Sequence, residues 1–374
     1  MGNWLHVTIF FGGMLIFLGL LGIWLMTMVK NIMEQLFEEK LSKKIRTLIS
    51  FLGVILLVCC AIKWSMGIVA LLYFIGFGFV FFAINFLVKL MAKDSYEKLI
   101  WWKALHRLSI LPMIATLGML IFGYWNMHHV VETTYVVETK KEIAEEGYRV
   151  ALLSDIHYGI SIDKRELQRM VEKVNGSLVD VVVLCGDMVD EDTTKAQMQE
   201  LFSVLGTLDS KYGVFFVYGN HDLQNYTSSS SFTQQELCKA MEENNIIILQ
   251  DSAYELTNDF VLVGRQDVSM GSRKGLDTLY ENMDKRDFIL TLDHQPLDYK
   301  ENKEQGTDLL LSGHTHGGQL FPVNLLLKVI PFGEGVYGQK KMEDFTAIVS
   351  SGVAGWRFPV KTSAPAEYVI VHIK

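Results

Sequence analysis

The sequence predicts an α/β domain that follows four membrane-spanning α-helices. The first 129 residues contain four long apolar runs without acidic or basic side chains. The later residues alternate short β-branched runs with segments of helical spacing, as in strand-helix-strand units. Polar residues follow the ends of the predicted strands, where α/β proteins place their functional sites.

The four apolar runs comprise residues 4–29, 47–62, 64–88 and 108–125. The first contains 26 residues, which is enough to cross a hydrocarbon core of roughly 30 Å. It lacks the basic segment of a cleaved signal peptide. The second run is the shortest, at about 24 Å of helix. A buried helical bundle of a soluble protein is the alternative, and four uncharged runs so close together disfavour it.

Basic residues beside the runs predict the orientation in the membrane. Ten flank the spans on one side and Lys63 alone lies on the other; the ten are Lys30, Lys40, Lys43, Lys44, Arg46, Lys89, Lys93, Lys98, Lys103 and Arg107. Because loops rich in Lys and Arg stay in the cytoplasm, we expect a multi-pass protein of the cell membrane with both of its ends outside. No charged residue interrupts a span, so the membrane part reads as an anchor or a lipid-facing platform rather than a transporter.

The charge distribution separates two domains. Residues 1–129 carry a net charge of +6 and residues 130–374 carry −14. An acidic domain is a poor partner for a nucleic-acid backbone, so we expect no nucleic acid to bind. Only Cys185 and Cys238 lie in the second domain, which implies no disulfide framework. The domain boundary is predicted near residue 130, where β-branched runs begin, and the oligomeric state stays open.

Five predicted strands of the second domain each lead into polar residues. Residues 150–153 lead into Asp155 and His157, residues 181–185 into Gly186-Asp187, and residues 214–218 into Gly219-Asn220-His221-Asp222. Residues 288–292 lead into Asp293-His294, and residues 309–312 lead into Gly313-His314-Thr315-His316. Residues 164–174 and 194–208 between the early strands have helical spacing, which suits a sheet covered on both faces. We expect Asp155 and His157 to lie in an extended segment and to point to the same side.

The collected polar residues suit divalent metal ions. They are Asp155, His157, Asp187, Asn220, His221, His294, His314 and His316, which include five of the ten histidines of the chain. Carboxylate and amide oxygens together with imidazoles favour Mn, Fe, Zn or Co, and the set is too large for one ion. Two ions about 3.5–4 Å apart, bridged by a carboxylate, would polarise a phosphoryl group and lower the pKa of a water. A remaining histidine could act as a general acid.

In their order along the chain, these motifs resemble those of the calcineurin-like metallophosphoesterases over residues 130–374. Gly317-Gly318-Gln319 and the predicted last strand, residues 367–373, are similar to the branch of bacterial membrane-associated phosphoesterases. The resemblance implies a four-layer αββα sandwich with two metal ions. It implies one ion bound by Asp155, His157, Asp187 and His316 and another bound by Asp187, Asn220, His294 and His314. It further implies that His221 protonates the leaving oxygen and that Asp222 orients its ring.

The sequence therefore predicts a membrane-anchored phosphoesterase with two metal ions, which hydrolyses a phosphomonoester or phosphodiester by attack of metal-bound hydroxide. Its position beside the bilayer makes a lipid-linked or envelope-linked phosphate an economical substrate hypothesis. The alternative is a membrane receptor or sensor that binds a phosphorylated ligand without turnover, and His221 favours the enzyme, because a binding protein can dispense with an acid.

Three further features have two interpretations. The serine-rich segment 225–233 is either a mobile lid or an ordinary surface loop. Trp356 and Arg357 either form a cationic and aromatic surface beside the substrate phosphate, or Trp356 lies in the core and Arg357 is exposed. Arg265 has the same two interpretations, as a phosphate ligand or as a structural residue.

Overall fold

The computed structural model describes residues 26–27, 29–31, 42, 44–45, 47–53, 65–281, 283–329 and 333–374. The chain divides into two compact units, Met1–Ile121 and Phe122–Lys374. They are described in turn below.

The helices of the first unit include α1 (Ser65–Ala92), α2 (Ile100–Arg107) and α3 (Ile110–Met127), and the last six residues of α3 belong to the second unit. Within the described residues, two helical segments are long and apolar enough to cross a membrane, Met66–Lys98 and Ile110–Met127. They overlap the predicted spans 64–88 and 108–125, and the first extends beyond its predicted end to Lys98. The predicted spans 4–29 and 47–62 lie mostly outside the described residues, so four spans are not confirmed.

The second unit is built on two six-stranded sheets. The first has the order β1-β12-β2-β3-β4-β5, with β1 Val131–Val137, β2 Tyr148–Leu153, β3 Val181–Cys185, β4 Val214–Val217, β5 Ile246–Ile248 and β12 Glu367–Ile373. The second has the order β10-β11-β9-β8-β7-β6, with β6 Ser252–Thr257, β7 Phe260–Gly264, β8 Phe288–Leu292, β9 Leu309–Ser312, β10 Gly338–Met342 and β11 Phe345–Val349. All five strands predicted before the polar motifs are confirmed.

The two sheets pack face to face through an apolar core. Every residue of β3, β4, β8 and β9 is buried, which explains why these strands read as continuous apolar runs rather than alternating ones. Phe215 of the first sheet and Leu290 of the second belong to the same core cluster. Burying each such side chain contributes about 1.5–3 kcal/mol, so this interface is a main source of the unit's stability.

Helices cover the outer faces of both sheets. They are α4 (Lys164–Gly176), α5 (Lys195–Leu205), α6 (Gln234–Glu242), α7 (Leu276–Tyr280) and α8 (Tyr299–Gln305). The next helix along the chain, α9 (Val323–Val329), has no buried residues. In α4, Asp163 and Glu166 form a capping box, and Leu167, Met170 and Val174 bury one face against the first sheet. The predicted α/β fold is confirmed.

Parallel neighbours in each sheet bring several strand ends to one edge. β2, β3 and β4 run parallel in the first sheet, and β7, β8 and β9 run parallel in the second. The loops after these strands carry the polar motifs. Because the carboxyl ends of parallel strands meet at one edge, the fold concentrates these motifs there.

Candidate metal centre

Asp155 and His157 follow β2 in a turn, not in the extended segment that the sequence predicts. Their backbone φ angles are +54° and +42°, in the left-handed region. The Asp155 N–H donates to Gly186 O at 3.0 Å, and the His157 N–H donates to Asp187 O at 3.1 Å. These bonds hold the turn against the loop after β3, so both side chains reach the site although the local prediction was wrong.

Three further predicted ligands share this unusual backbone conformation. Asp187, His314 and His316 have φ angles of +56°, +71° and +50°. A residue other than glycine costs about 1–3 kcal/mol in such a conformation, and such residues persist where the surrounding structure fixes them. Five strained residues at one sheet edge therefore indicate a site whose geometry is maintained at the expense of stability.

Position 186 requires a glycine for two reasons: its φ is +77°, and neighbouring atoms approach its α-carbon closely. A β-carbon there would lie 2.5 Å from His294 Nδ1 and 2.6 Å from the Gly219 nitrogen. The absent side chain thus lets the loop after β3 lie directly against the His294 ring and the loop after β4.

The structure brings the predicted ligands into two neighbouring groups. One group consists of Asp155, His157 and His316, and the other of Asp187, His294 and His314; in each, the ligand atoms lie within 4.8 Å of one another. All of these side chains are buried except His314, which is partly buried. Carboxylate oxygens and imidazole nitrogens at this spacing suit one divalent cation per group.

The Asp187 carboxylate, a member of the second group, also faces the first group. Its Oδ2 is 3.1 Å from His294 Nε2 and 3.7 Å from His157 Nε2. Within the first group, His316 Nε2 is 3.3 Å from His157 Nε2 and 3.5 Å from Asp155 Oδ1. An oxygen shared in this way is the arrangement expected of a bridging carboxylate.

The hydrogen bonds of the outer ring nitrogens leave the inner ones free for a metal. His294 Nδ1 lies 2.8 Å from Cys185 O, and His316 Nδ1 lies 3.3 Å from Ala354 O. A nitrogen that faces a carbonyl must carry the proton, so in each neutral ring Nε2 keeps its lone pair. His294 Nε2 is buried and faces Asp187 Oδ2 at 3.1 Å. The donor set therefore fits two divalent ions.

Electrostatics of the site favour an ionised Asp187 carboxylate and neutral His314 and His316 rings, whereas the pKa of His294 is raised because Asp187 outweighs burial. Burial raises the pKa of Asp187, but the charge and hydrogen bond of His294 outweigh burial and lower it. Burial lowers the pKa of His316 to about 3, against the opposing effect of Asp155. Burial also lowers the pKa of His314. Neutral His314 and His316 rings are the form that binds metal ions.

Asn220 and Asp222 have different surroundings in the loop after β4. The Asn220 side chain is buried, and its Oδ1 has no hydrogen-bond partner, which suits an oxygen ligand. Asp222 does not contact the His221 ring as the resemblance implies. Its carboxylate accepts four backbone N–H groups instead, from Asp187, Met188, Val189 and Gly219 at 2.7–3.3 Å. Asp222 therefore joins the loops after β3 and β4.

Glu191 is the carboxylate that contacts the His221 ring. Its Oε2 lies 2.7 Å from His221 Nδ1. Burial lowers the pKa of His221, but the hydrogen bond to Glu191 and the nearby carboxylates outweigh burial and raise it. Sequence reasoning missed Glu191, although the acidic pair Asp190-Glu191 close behind Gly186-Asp187 was a visible signal.

Tyr226 and Trp356 form an aromatic rim beside His221. The rings of Tyr226 and Trp356 lie 5.1 and 5.2 Å from the His221 ring, and these side chains are 63% and 40% exposed. Trp356 is therefore a surface residue beside the site rather than a core tryptophan, and Arg357 beside it is exposed. Tyr226 comes from the serine-rich segment 225–233, which thus reaches the candidate acid.

Arg265 has a structural environment. It is 2% exposed, and its NH1 lies 3.2 Å from Asp293 and 2.9 Å from Asp298. Arg273 contacts the same two carboxylates at 2.9 and 2.7 Å. The four charges form a partly buried network beside His294, so Arg265 holds the loop after β8 in place.

Comparisons with known proteins match this part of the chain. A family model described as Calcineurin-like phosphoesterase matches residues 148–318. A Danio rerio protein named "Transmembrane protein with metallophosphoesterase domain" is 29% identical over 83% of this chain and 72% of its own length. An uncharacterized metallophosphoesterase of Campylobacter jejuni is 30% identical over 71% of each chain. Among solved structures, a dimetal phosphatase from Danio rerio aligns with a TM-score of 0.39 and 13% identity over 59% of this chain and 90% of its own.

Proposed function

Because this chain belongs to the calcineurin-like phosphoesterase family and is a metal-dependent phosphoric ester hydrolase, we propose that it is a membrane-anchored enzyme with two metal ions. In this proposal residues 1–129 form the membrane domain and residues 130–374 the catalytic domain. The metals are drawn from Mn, Fe, Zn and Co. The substrate is a phosphate monoester or diester.

The position of Asp187 is the observation that carries the proposal. Its Oδ2 faces His294 of one ligand group and His157 of the other. We assign one ion to Asp155, His157, Asp187 and His316, and the second to Asp187, Asn220, His294 and His314. When bound, the ions would neutralise phosphoryl charge and lower the pKa of a water.

The chain itself supplies the proton for the leaving oxygen. Glu191 Oε2 accepts a hydrogen bond from His221 Nδ1–H. A protonated His221 therefore presents its other N–H, at Nε2, to a phosphate ester at the aromatic rim. The backbone N–H of His221 donates to Asp187 Oδ1 at 2.9 Å, which ties the acid to the bridging carboxylate. Tyr226 and Trp356 shield the His221 ring from water on its open side.

We further propose that the catalytic domain lies outside the cytoplasm on a multi-pass anchor. Two helices long and apolar enough to span a membrane and the name of the Danio rerio relative support membrane attachment. The ten basic residues that flank one side of the predicted spans support the orientation. An enzyme attached in this way would meet lipid-linked or envelope-linked phosphates.

The full chain, purified in detergent, tests the proposal through hydrolysis of aryl phosphate monoesters and diesters. We expect metal-dependent turnover that falls at least about a hundredfold in His221→Ala with the bound metal retained. His372→Ala is the matched control, since His372 lies on β12 away from the ligand groups, and it should keep its activity. Bound metal without turnover of any ester would instead favour a receptor or sensor.

A further inference from the structure

An unusually apolar segment follows the metal ligand His316. Helix α9 has seven residues, none of them buried. We define the apolar patch as its exposed large side chains together with the residue that enters it: Phe321, Val323, Leu325, Leu326 and Val329, which are 44, 39, 48, 57 and 79% exposed. Single exposed apolar residues are ordinary, whereas a contiguous apolar group marks a binding surface.

The apolar patch is attached to a specific loop of the same unit. The Phe321 N–H donates to Thr362 Oγ1 at 2.9 Å, and the Thr362 N–H donates to Gln319 O at 2.8 Å. These two hydrogen bonds therefore fix the start of the apolar patch beside the loop at residues 360–364.

The same loop binds the end of helix α3. The Lys361 N–H donates to Gly123 O at 3.0 Å, and Asn126 Nδ2 donates to the carbonyls of Lys361 and Ala364 at 2.8 Å each. A β-carbon at Gly123 would lie 2.5 Å from Thr362 Cγ2, so the helix and the loop are in direct contact. All of these residues belong to the second unit.

The end of α3 carries the residues expected at a membrane surface. Phe122, Tyr124 and Trp125 are 46, 56 and 56% exposed, at the end of the proposed span 108–125. Aromatic side chains of this kind are enriched where a span leaves the hydrocarbon core. The apolar patch is joined to this helix end through one loop, so a bilayer surface lies within its reach. Lys328, exposed in the last turn of α9, could reach lipid phosphates from there.

Gln319, two residues before Phe321, connects the apolar patch to the rim of the metal centre. Gln319 Oε1 accepts the Trp356 N–H at 3.0 Å, and Gln319 Nε2 donates to the carbonyls of Trp356 and Phe358 at 3.1 and 3.0 Å. Trp356 is the rim residue beside His221. A surface that holds the patch would therefore also lie beside the opening of the site.

We propose that the apolar patch docks on the bilayer surface and presents the metal centre to phosphate esters carried by lipids. This inference rests on the proposed phosphoesterase function and narrows its substrate class. Removal of several large apolar side chains from water stabilises the docked state. A second copy of the chain or another protein is the competing occupant.

Photo-crosslinking tests the docking without relying on activity. The full chain is reconstituted in vesicles of phosphatidylcholine and phosphatidylglycerol, with a photoreactive amino acid in place of Leu326. The control replaces Leu178, which is 76% exposed and lies after α4, away from the apolar patch. We expect a lipid adduct at position 326 and none at position 178. A protein adduct at 326, or no lipid adduct there, would overturn the proposal.

The double variant Leu325→Ser, Leu326→Ser tests the substrate class. The probes are phosphatidic acid and phosphatidylglycerol in the vesicles and the matching aryl phosphates in water. We expect lipid turnover to fall about tenfold through lost apolar contact, while aryl phosphate turnover stays within about twofold, as for a surface substitution. Leu178→Ser should change neither activity.

The outcomes separate the two proposals. Equal loss on lipid and aryl phosphates, or hydrolysis of aryl phosphates but of neither lipid by the unmodified chain, would contradict docking as the determinant of substrate class. Failure of the unmodified chain to hydrolyse any ester would contradict the phosphoesterase function, and the crosslinking result would still decide whether the apolar patch contacts lipid.

Discussion

Glu191 Oε2 lies 2.7 Å from His221 Nδ1, and this contact fixes which nitrogen of the ring faces the substrate. The carboxylate also stabilises the protonated ring, which is the form that can donate a proton. Glu191 is thus a positioning residue for the candidate acid. The leaving group of the substrate reveals this role, since a good leaving group needs no proton.

We expect Glu191→Gln to lower turnover of an alkyl phosphate ester by about ten- to a hundredfold. Turnover of a nitrophenyl ester should change little, because nitrophenolate leaves without protonation. Steady-state kinetics with both esters measure the difference. Glu200→Gln, at a partly exposed glutamate bonded to Tyr158, is the matched control. Equal losses on the two esters would mean that Glu191 is only structural.

Asp222→Asn should destabilise the catalytic domain. The Asp222 carboxylate accepts four backbone N–H groups, and an amide in its place would turn its NH₂ group towards some of them. We expect the free energy of unfolding to fall by about 2–3 kcal/mol, measured by denaturant unfolding followed by circular dichroism. Asp209→Asn, at an exposed aspartate, is the control. Unchanged stability of Asp222→Asn would refute the proposed joining of the two loops.

The sequence could predict the parts of the site that depend on strand ends. Residues 181–185 form an apolar run long enough for one buried strand, so the next polar residue, Asp187, must lie at its end. The same reasoning applies to His294 after β8. Motif order then supplied the family and the expected ligand groups.

Tertiary contacts supplied what the sequence could not. Glu191 meets His221 only because the loops after β3 and β4 pack together, a contact across 30 positions of the chain. The left-handed backbone of Asp155 could not be predicted from the sequence, because it depends on the bond that its N–H donates to Gly186 O. The sequence left two interpretations of Arg265 open, because its carboxylate partner Asp298 lies 33 positions away in the chain.

Lys361 predicts a pH dependence of stability. It is fully buried, and its Nζ donates to the carbonyls of Ser351, Gly352 and Ala354. The titratable groups that interact with its charge are Glu367, Asp155 and His316. Burial lowers the pKa of Lys361 from 10.5 to about 7, against the opposing charges of Glu367 and Asp155. Between these two pH values the unfolded chain binds a proton that the folded chain lacks, so stability should rise with pH across this window.

We expect the rise to be up to about 1.4 kcal/mol per pH unit between roughly pH 7 and pH 10. The substitution Lys361→Met should flatten it, because no group at that position then titrates. Thermal unfolding of the full chain in detergent at several pH values measures the slope. Lys300→Met, at an exposed lysine paired with Glu304, should keep the slope of the unmodified chain. The same slope in Lys361→Met would show that Lys361 does not cause it.

Substitutions of single ligands should remove defined numbers of metal ions. We expect about two ions per chain in the unmodified protein, about one in His316→Ala and in His294→Ala, and fewer than one in Asp187→Ala, since Asp187 serves both groups. Metal analysis of the purified full chains gives these numbers, and His372→Ala should bind as many ions as the unmodified chain. Full metal content in Asp187→Ala would refute the bridging role.

Stepwise metal reconstitution tests the central claim most directly. The full chain is freed of metal with a chelator, and Mn²⁺ is returned in increments while bound metal and aryl phosphate turnover are measured together. We predict no turnover in the metal-free chain and a steep gain as the second ion binds, because both groups must be filled around Asp187. Turnover that persists without metal, or that is complete with one ion per chain, would contradict a two-metal phosphoesterase.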